Sequence, residues 1–245
     1  MNHQFENKTV VITGGTSGIG AECAKQFCMQ GATVIITGRN RDQGEKIAQE
    51  LSKIGSVRFI RLDITDIDEI KKFSELIFSE YGGANILFNN AGIYPAFGKF
   101  EESSKREWND IFNTNLFGMV DVCKSFINQL ERNNGVIINN ASIAGLQDFT
   151  SGSGYAYAAS KSAVIKFTKM LAKNYAKNIR INCICPGVID TPIYLNLNRE
   201  RMIERTPVGK VGTPEDVAPV VLFLASEDAA FVCGAVLPID GGMTL

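Results

Sequence analysis

The sequence predicts a doubly wound α/β fold, in which helices flank both faces of a seven-stranded parallel sheet. Seven short runs rich in β-branched residues recur along the chain, and longer stretches with a helical pattern of apolar residues separate them. The runs are almost continuously apolar, as expected for parallel strands that are covered on both faces. This alternation of strand and helix favours right-handed crossovers between parallel strands.

The expected elements follow one another in chain order. The predicted strands are Thr9 to Thr13, Thr33 to Thr37, Val57 to Leu62, Ile86 to Asn89, Val136 to Asn140, Ile179 to Ile184 and Ala235 to Ile239. Three of the predicted helices are Ile19 to Gln30, Arg41 to Ile54 and Asp66 to Tyr81, and each precedes a glycine that suits a left-handed stop, at Gly31, Gly55 and Gly82. Because no linker or repeat interrupts the pattern, residues 1–245 are expected to form a single domain.

The composition excludes several classes of function. Of the 245 residues, 25 are basic and 26 acidic, so the chain has no excess of positive charge for nucleic-acid binding, and a membrane-surface role is equally unsupported. The chain shows neither a signal-peptide pattern nor an apolar run of roughly 20 residues, so we expect a cytoplasmic protein.

Histidine and cysteine usage limits the possible chemistry further. The only histidine is His3, ahead of the first apolar run, which excludes a Ser-His-Asp hydrolase, a Cys-His protease and a histidine-ligated zinc site. We therefore expect no metal. The six cysteines lie among apolar neighbours and are predicted to be reduced core residues. Cys183 and Cys185 are two strand rises apart, about 7 Å, which is too far for an unstrained disulfide.

A glycine-rich turn follows the first predicted strand. It reads Thr13-Gly14-Gly15-Thr16-Ser17-Gly18-Ile19-Gly20 and leads directly into a helix. Glycine at these places lets the chain turn sharply, lets backbone amides approach a pyrophosphate and lets the helix pack closely on the strand. The N-terminus of the helix then presents free N–H groups and the positive end of its dipole to the anion. The pattern predicts a Rossmann-type dinucleotide site, and a glycine-rich turn without a ligand is the alternative.

The glycine spacing, together with other motifs in order, resembles the classical short-chain dehydrogenase/reductase family. The motifs are Thr13 to Gly20, Asn89-Asn90-Ala91-Gly92, Asn115, Ser142, Tyr157-x-x-x-Lys161 and Pro186-Gly187, and they extend over essentially the whole chain. The resemblance implies an NAD(P)-dependent oxidoreductase that acts on CH–OH groups, and a homotetramer joined partly through the C-terminal strand. A non-catalytic dinucleotide-binding regulatory protein of the same fold is the alternative.

Tyr157 and Lys161 are expected to form the centre of the catalytic site. They are four residues apart in a helical stretch, so both side chains lie on one helical face. A lysine cation within about 4 to 6 Å favours the phenolate and lowers the pKa of the tyrosine, which makes Tyr157 an acid–base group. The resemblance implies that Lys161 also binds the nicotinamide ribose and that Ser142 orients the substrate oxygen. It further implies that Asn115 holds a helix open for a water beside Lys161, with Asn113 as the competing choice.

The end of the second predicted strand favours NADP over NAD. NAD enzymes usually carry Asp or Glu there, about 20 residues beyond the glycines. This chain has Gly38 at that place and Arg39 next, and a guanidinium can hold a 2′-phosphate with two hydrogen bonds. NADP is therefore the expected cofactor, and NAD is the alternative. The residues expected to bind the dinucleotide are Gly14, Thr16, Ser17, Gly18, Ile19, Gly20, Arg39, Asp63, Ile64, Asn90, Ala91, Gly92, Tyr157, Lys161, Pro186, Gly187, Ile189 and Thr191.

The loops at the carboxyl ends of the strands are expected to form a mainly apolar substrate pocket. The substrate-binding candidates are Tyr94, Gln147, Phe149, Tyr155 and Tyr194, with Ile93, Phe97, Leu146, Ile193, Leu195 and Leu197 as further lining, and residues 190–207 form the expected lid. The lining favours a hydrophobic or amphipathic carbonyl compound. A 3-oxoacyl thioester, a hydroxysteroid or bile acid, and a small cyclic or aromatic ketone all remain possible.

Overall fold

The computed structural model of the chain describes residues 3–94, 98–147, 149, 154–194 and 198–245. Within these residues the strands are β1 (Thr9–Thr13), β2 (Thr33–Gly38), β3 (Ser56–Arg61), β4 (Ile86–Asn89), β5 (Val136–Asn140), β6 (Arg180–Pro186) and β7 (Val236–Ile239). They form one parallel sheet in the order β3-β2-β1-β4-β5-β6-β7. The predicted doubly wound fold is therefore confirmed.

The helices of the described residues fill the connections between the strands. They are α1 (Gly18–Met29), α2 (Arg41–Leu51), α3 (Ile67–Tyr81), α4 (Lys105–Phe112), α5 (Met119–Arg132), α6 (Tyr155–Tyr175), α7 (Arg199–Glu204) and α8 (Pro214–Ala225). A π-helical segment, Asn113–Gly118, joins α4 to α5. Within the ranges that the structure describes, no helix is long and apolar enough to cross a membrane.

The central strands are buried on both faces because helices cover both faces of the sheet. In β1, Val10 and Ile12 pack into one buried cluster with Phe27 of α1. Between them, Val11 points to the opposite side and joins a second cluster with Phe126 of α5. Each of these side chains is fully buried. This two-sided burial explains why the strands lack the polar alternation of a half-exposed sheet.

Two of the three glycines expected to end helices do so in the left-handed conformation. Gly31 has φ +86° after α1, and Gly82 has φ +72° after α3. The prediction for Gly55 is wrong, because α2 ends earlier, at Leu51, and Gly55 has no positive φ. A Cβ atom at Gly55 would lie 2.8 Å from the Cβ of Cys28, so this position needs a small residue because of packing.

All six cysteines are free thiols. Five are buried, in agreement with the prediction of reduced core residues, whereas Cys233 is exposed. The prediction is wrong for Cys233 because it lies in the surface connection ahead of β7, and not in a strand or helix that faces the core.

Candidate active site

A cavity of about 400 Å³ opens above the carboxyl ends of the central strands. One end is lined by the glycine-rich turn and the end of β2, and the other by Ser142, Tyr157 and Lys161. The lining includes every residue predicted to bind the dinucleotide except Gly20. The cavity lies where β1 and β4 are neighbours and the strand order changes direction, which is the usual ligand position in an open α/β sheet.

The glycine-rich turn leaves the N-terminus of α1 open to the cavity. The N-cap residue, Ser17, makes no side-chain hydrogen bond to the helix, and the first turn contains no acidic residue. The first backbone N–H groups of a helix have no partner within the helix, so these amides can bind an anion. Gly20 has a different role, since a Cβ there would lie 2.3 Å from the Gly14 carbonyl oxygen. It permits close packing of the helix on the turn.

The side chain of Asn90 ties this turn to two neighbouring strands. Its Nδ2 donates to the backbone oxygens of Thr13, at 3.2 Å, and Gly14, at 2.8 Å. Its Oδ1 accepts a hydrogen bond of 2.9 Å from Asn140 Nδ2. The hydroxyl of Thr13 in turn accepts hydrogen bonds from the backbone N–H groups of Asn90 and Ala91. The carboxyl ends of β1, β4 and β5 are thus held together.

At the other side of the turn, Arg39 and Asp63 lie in the cavity wall. Burial alone would raise the pKa of Asp63. Hydrogen bonds from the backbone N–H and the hydroxyl of Thr65, together with the charges of Arg39 and Arg61, outweigh burial and lower the pKa. Asp63 is therefore ionised and lies within electrostatic reach of Arg39.

Tyr157, Lys161 and Ser142 meet in the same part of the cavity. Tyr157 and Lys161 lie one turn apart on α6, and the Nζ atom of Lys161 is 5.7 Å from the centre of the Tyr157 ring. Lys161 Nζ donates a hydrogen bond of 2.7 Å to the backbone oxygen of Asn140. Ser142 lies two residues after the end of β5, and its side chain is hydrogen-bonded to that of Tyr157. The serine and tyrosine can therefore contact one oxygen atom of a bound molecule.

Burial has the largest effect on the protonation of both groups. It raises the pKa of Tyr157, the nearby Tyr194 adds to this effect, and the hydrogen bond with Ser142 opposes it. Burial lowers the pKa of Lys161 to about 8. The pKa of Tyr157 is therefore raised overall and not lowered, because burial, which disfavours the charged phenolate, outweighs the effect expected from the Lys161 charge.

Asn115 lies in the π-helical segment and reaches the loop after β4. Its Oδ1 accepts a hydrogen bond of 2.8 Å from the N–H of Ile93, and its Nδ2 donates one of 3.0 Å to the Ile93 oxygen. A Cβ atom at Gly92 would lie 3.2 Å from Asn115 Oδ1 and 3.6 Å from Lys161 Nζ, so the two side chains are close together. Asn113, the competing choice, is exposed. The geometry therefore favours Asn115.

Two aromatic rings lie beside Tyr157. The ring of Tyr94 is perpendicular to that of Tyr157, with centres 4.7 Å apart, and packs at 5.1 Å against Tyr194. Tyr194, Ile93 and Ile193 line the cavity beside Tyr157. The wall near Tyr157 is thus largely apolar, as the sequence predicts.

Four of the five substrate candidates lie outside the cavity lining. Among the described residues, the lining does not include Tyr94, Gln147, Phe149 or Tyr155, although Tyr94 contacts both Tyr157 and Tyr194. Gln147 is exposed, and Phe149 packs against a buried apolar cluster. Tyr155 is 43% exposed and contacts Phe100. Two helical residues correspond to a rotation of about 200°, so Tyr155 and Tyr157 cannot share a face. Phe97, Leu195 and Leu197 lie outside the described residues.

Sequence reasoning missed several residues of the cavity wall. They are Thr37, Gly38, Asn40, Gln43, Leu62, Thr114, Asn140, Ala141 and Pro192. Most of them end a strand or follow one, and that position could have identified them. Gln43 had no such signal, because it reaches the cavity from the first turn of α2.

The chain is similar to several known proteins. A family model described as enoyl-(acyl carrier protein) reductase matches residues 14–244. A 3-oxoacyl-[acyl-carrier-protein] reductase from Chlamydia muridarum is 39% identical, over 99% of this chain and 100% of its own length. A short-chain type dehydrogenase/reductase from Mycobacterium ulcerans has a TM-score of 0.91 at 30% identity, covering 98% of this chain and 91% of its own. L-sorbose reductase from Gluconobacter frateurii, complexed with NADPH and L-sorbose, has a TM-score of 0.92 at 30% identity, covering 100% and 99%.

Proposed function

The chain belongs to the short-chain dehydrogenase/reductase family and is an oxidoreductase that acts on CH–OH groups with a nicotinamide cofactor, and from this we propose that it prefers NADP(H) and interconverts a hydrophobic secondary alcohol and its ketone. The observation that carries the proposal is a single cavity with Arg39 at one end and the Ser142, Tyr157 and Lys161 side chains at the other. A dinucleotide can extend between these ends.

The residues of the cavity fit the dinucleotide chemically. The free amides at the start of α1 suit its pyrophosphate, and the ionised Asp63 suits its adenine, which carries an amino donor. We assign the nicotinamide ribose to Lys161 and the carboxamide side to the segment from Pro186 to Thr191. When bound, the dinucleotide supplies or accepts a hydride at its nicotinamide ring.

Tyr157 carries the proton that accompanies the hydride. In reduction its hydroxyl donates the proton to the carbonyl oxygen of the substrate, and in oxidation the phenolate removes the proton of the alcohol. Ser142 donates a hydrogen bond to the same oxygen and so orients it. Ser142 does not act as a nucleophile, since no histidine near it could serve as its base.

Lys161 and Asn115 support this proton transfer. With a pKa of about 8, Lys161 is mostly protonated at neutral pH but can release its proton only slightly above it, so it can exchange protons with its surroundings. Its charged form stabilises a phenolate at Tyr157, which burial alone disfavours. Asn115 fixes the loop at Ile93 and lies beside Lys161, so we assign it the role of positioning this region.

The preference for NADP rests on the end of β2. Gly38 has no carboxylate that could bind the two hydroxyls of the adenosine ribose in NAD. The exposed Arg39 can pair with the 2′-phosphate of NADP. Steady-state kinetics with both dinucleotides should give a higher kcat/KM with NADP, and Arg39→Asp should reverse the ratio. Arg41→Asp is the matched control, because Arg41 is also exposed but lies outside the cavity wall. An unchanged ratio in Arg39→Asp would contradict the assignment.

The apolar wall of Ile93, Ile193 and Tyr194 favours a hydrophobic or amphipathic substrate. A 3-oxoacyl thioester is the first class to test, because the name of the Chlamydia relative states that activity. Bile acids and cyclic ketones are the other classes. A panel of all three, followed by absorbance of the reduced cofactor, should show turnover of at least one, and Tyr157→Phe should abolish that turnover. Turnover of free sugars or short acids alone would overturn the substrate proposal.

We also propose a homotetramer that uses the outer edge of β7, with residues 190–207 acting as a lid over the substrate. Support for the interface comes from Leu237 and Pro238, which are exposed on β7, and from Met170 of α6, which is 56% exposed. Light scattering coupled to size-exclusion chromatography should give four times the mass of one chain. Leu237→Lys should shift the protein to a smaller species, and a mass of one chain for the unaltered protein would contradict the proposal.

A further inference from the structure

We propose that the side chain of Thr16 sterically excludes an acidic side chain at position 38, the place at the end of β2 from which such a side chain would bind the adenosine ribose. In this proposal the choice of dinucleotide depends on the Thr16–Gly38 pair as well as on Arg39. It rests on the proposed preference for NADP, and makes Thr16 a specificity-determining residue.

The side chain of Thr16 occupies the space that a side chain at position 38 needs. A Cβ atom at Gly38 would lie 2.9 Å from Thr16 Cγ2 and 3.1 Å from Thr16 Oγ1, but 3.6 Å from Thr16 Cβ. The first two distances are shorter than an ordinary van der Waals contact, and the third is an ordinary van der Waals distance. An aspartate at position 38 therefore conflicts with the branches of the threonine, and an alanine at position 16 would remove the conflict.

Thr16 is held in place from two sides. Gln43 Nε2 donates a hydrogen bond of 3.0 Å to the backbone oxygen of Thr16, and the side chain of Asn40 fixes Gln43 by accepting from its backbone N–H at 3.0 Å. The preceding residue, Gly15, donates its N–H to the Thr37 oxygen at 3.0 Å. A β-branched residue also has few alternative rotamers. Thr16 therefore cannot easily turn away from position 38.

The neighbouring residue Gly15 is also in close contact with β2. A Cβ atom at Gly15 would lie 2.7 Å from Ile36 Cγ2, so the glycine-rich turn is pressed against the end of β2 over adjacent residues. Displacement of Thr16 by a larger residue at position 38 would thus disturb the turn that receives the pyrophosphate. We expect Gly38→Asp to weaken the binding of both dinucleotides instead of switching the preference to NAD.

The test compares the unaltered protein with Gly38→Asp, Thr16→Ala, the double variant Thr16→Ala/Gly38→Asp, and Thr16→Val/Gly38→Asp. Isothermal titration calorimetry measures Kd for NADP+, NAD+, 2′,5′-ADP and 5′-AMP without substrate. Gly38→Asp should weaken NADP+ and NAD+ by about tenfold or more, and Thr16→Ala in the double variant should restore NAD+ binding by about tenfold while NADP+ stays weak. Valine has the same branched shape as threonine, so the Thr16→Val/Gly38→Asp variant should remain weak for both.

Additive effects of the two substitutions on NAD+ affinity, or rescue by valine as effective as rescue by alanine, would overturn the block. Thermal unfolding of each variant shows whether a substitution prevents the chain from folding. If Gly38→Asp unfolds and the alanine double variant does not, the block is supported; if both unfold, it is refuted. A failure of the proposed cofactor preference can be recognised separately. Equal affinity of the unaltered protein for NADP+ and NAD+ would contradict that preference, whether or not the substitutions at positions 16 and 38 are coupled.

Discussion

The buried charge of Lys161 should make the protein less stable at neutral pH than it would be without that lysine. Burial lowers the pKa of Lys161 from 10.5 to about 8. A group whose pKa is lowered on folding binds fewer protons in the folded state between those two values, so its contribution to stability rises with pH across that window. Below pH 8 the full cost of the buried cation is present, and above pH 10.5 it is absent.

The substitution Lys161→Met removes this cost and one hydrogen bond. The fall in pKa corresponds to about 3 kcal/mol at pH 7. Against it, the backbone oxygen of Asn140 loses the donor that lies 2.7 Å away, which costs about 1–3 kcal/mol. We expect Lys161→Met to be more stable than the unaltered protein at pH 7 by roughly 0–2 kcal/mol. Near pH 10 only about 1 kcal/mol of the cost of the cation remains, so the variant should be less stable by about 0–2 kcal/mol. It should also have lost turnover.

Urea unfolding followed by circular dichroism at pH 7, 8.5 and 10, at constant ionic strength, measures this difference. Lys166→Met is the matched control, because Lys166 is an exposed lysine of the same helix. A change with pH that appears in both variants is a general effect of losing a lysine. If the stability difference between Lys161→Met and the unaltered protein does not change between pH 7 and pH 10, the reasoning about the buried ammonium is refuted.

Three further substitutions test other parts of the site. Tyr157→Phe should abolish turnover while NADP+ still binds with nearly unchanged Kd in a calorimetric titration; measurable turnover would exclude Tyr157 as the proton donor. Asn115→Ala should lower the free energy of unfolding by about 2–3 kcal/mol, because the Ile93 N–H and oxygen lose their partners, and urea unfolding with an unchanged midpoint would contradict this. Gly20→Ala should weaken NADP+ binding by about tenfold or more, since its Cβ would lie 2.3 Å from the Gly14 oxygen. Gly82→Ala, where nothing lies within 4 Å of the added Cβ, should lower stability by about 1 kcal/mol without weakening that binding.

The architecture could be predicted because it depends on local patterns. A strand such as β1 has three successive apolar residues, Val10, Val11 and Ile12, and a run of this kind requires cover on both faces. The end of α3 could be predicted because Gly82 alone decides it, by adopting a left-handed conformation. The end of α2 could not be predicted in this way. The glycine at position 55 does not end the helix but allows close packing against Cys28, which lies on another helix.

The site shows the same division between local and distant causes. The proximity of Tyr157 and Lys161 follows from their spacing on one helix, and the structure places both in the cavity. The protonation of these residues could not be predicted from spacing, because it depends on how far the surrounding elements withdraw both from water. The expectation that Tyr155 binds the substrate rests on its nearness to Tyr157 in sequence. Two positions along a helix point the two side chains about 200° apart, and Tyr155 contacts Phe100 instead. The Thr16–Gly38 contact joins two turns that the sequence gives no reason to pair.

The hydrogen bonds of Asn90 have a mechanical consequence for catalysis. One amide group joins the glycine-rich turn to the strand that leads to Ser142, and so ties together the two parts that form the floor of the site. Little reorganisation of this floor can then accompany the reaction, and any motion needed for substrate entry falls to the segments above it. Damage to this amide should reach both ends of the site at once, so that cofactor affinity and the rate of hydride transfer decline together.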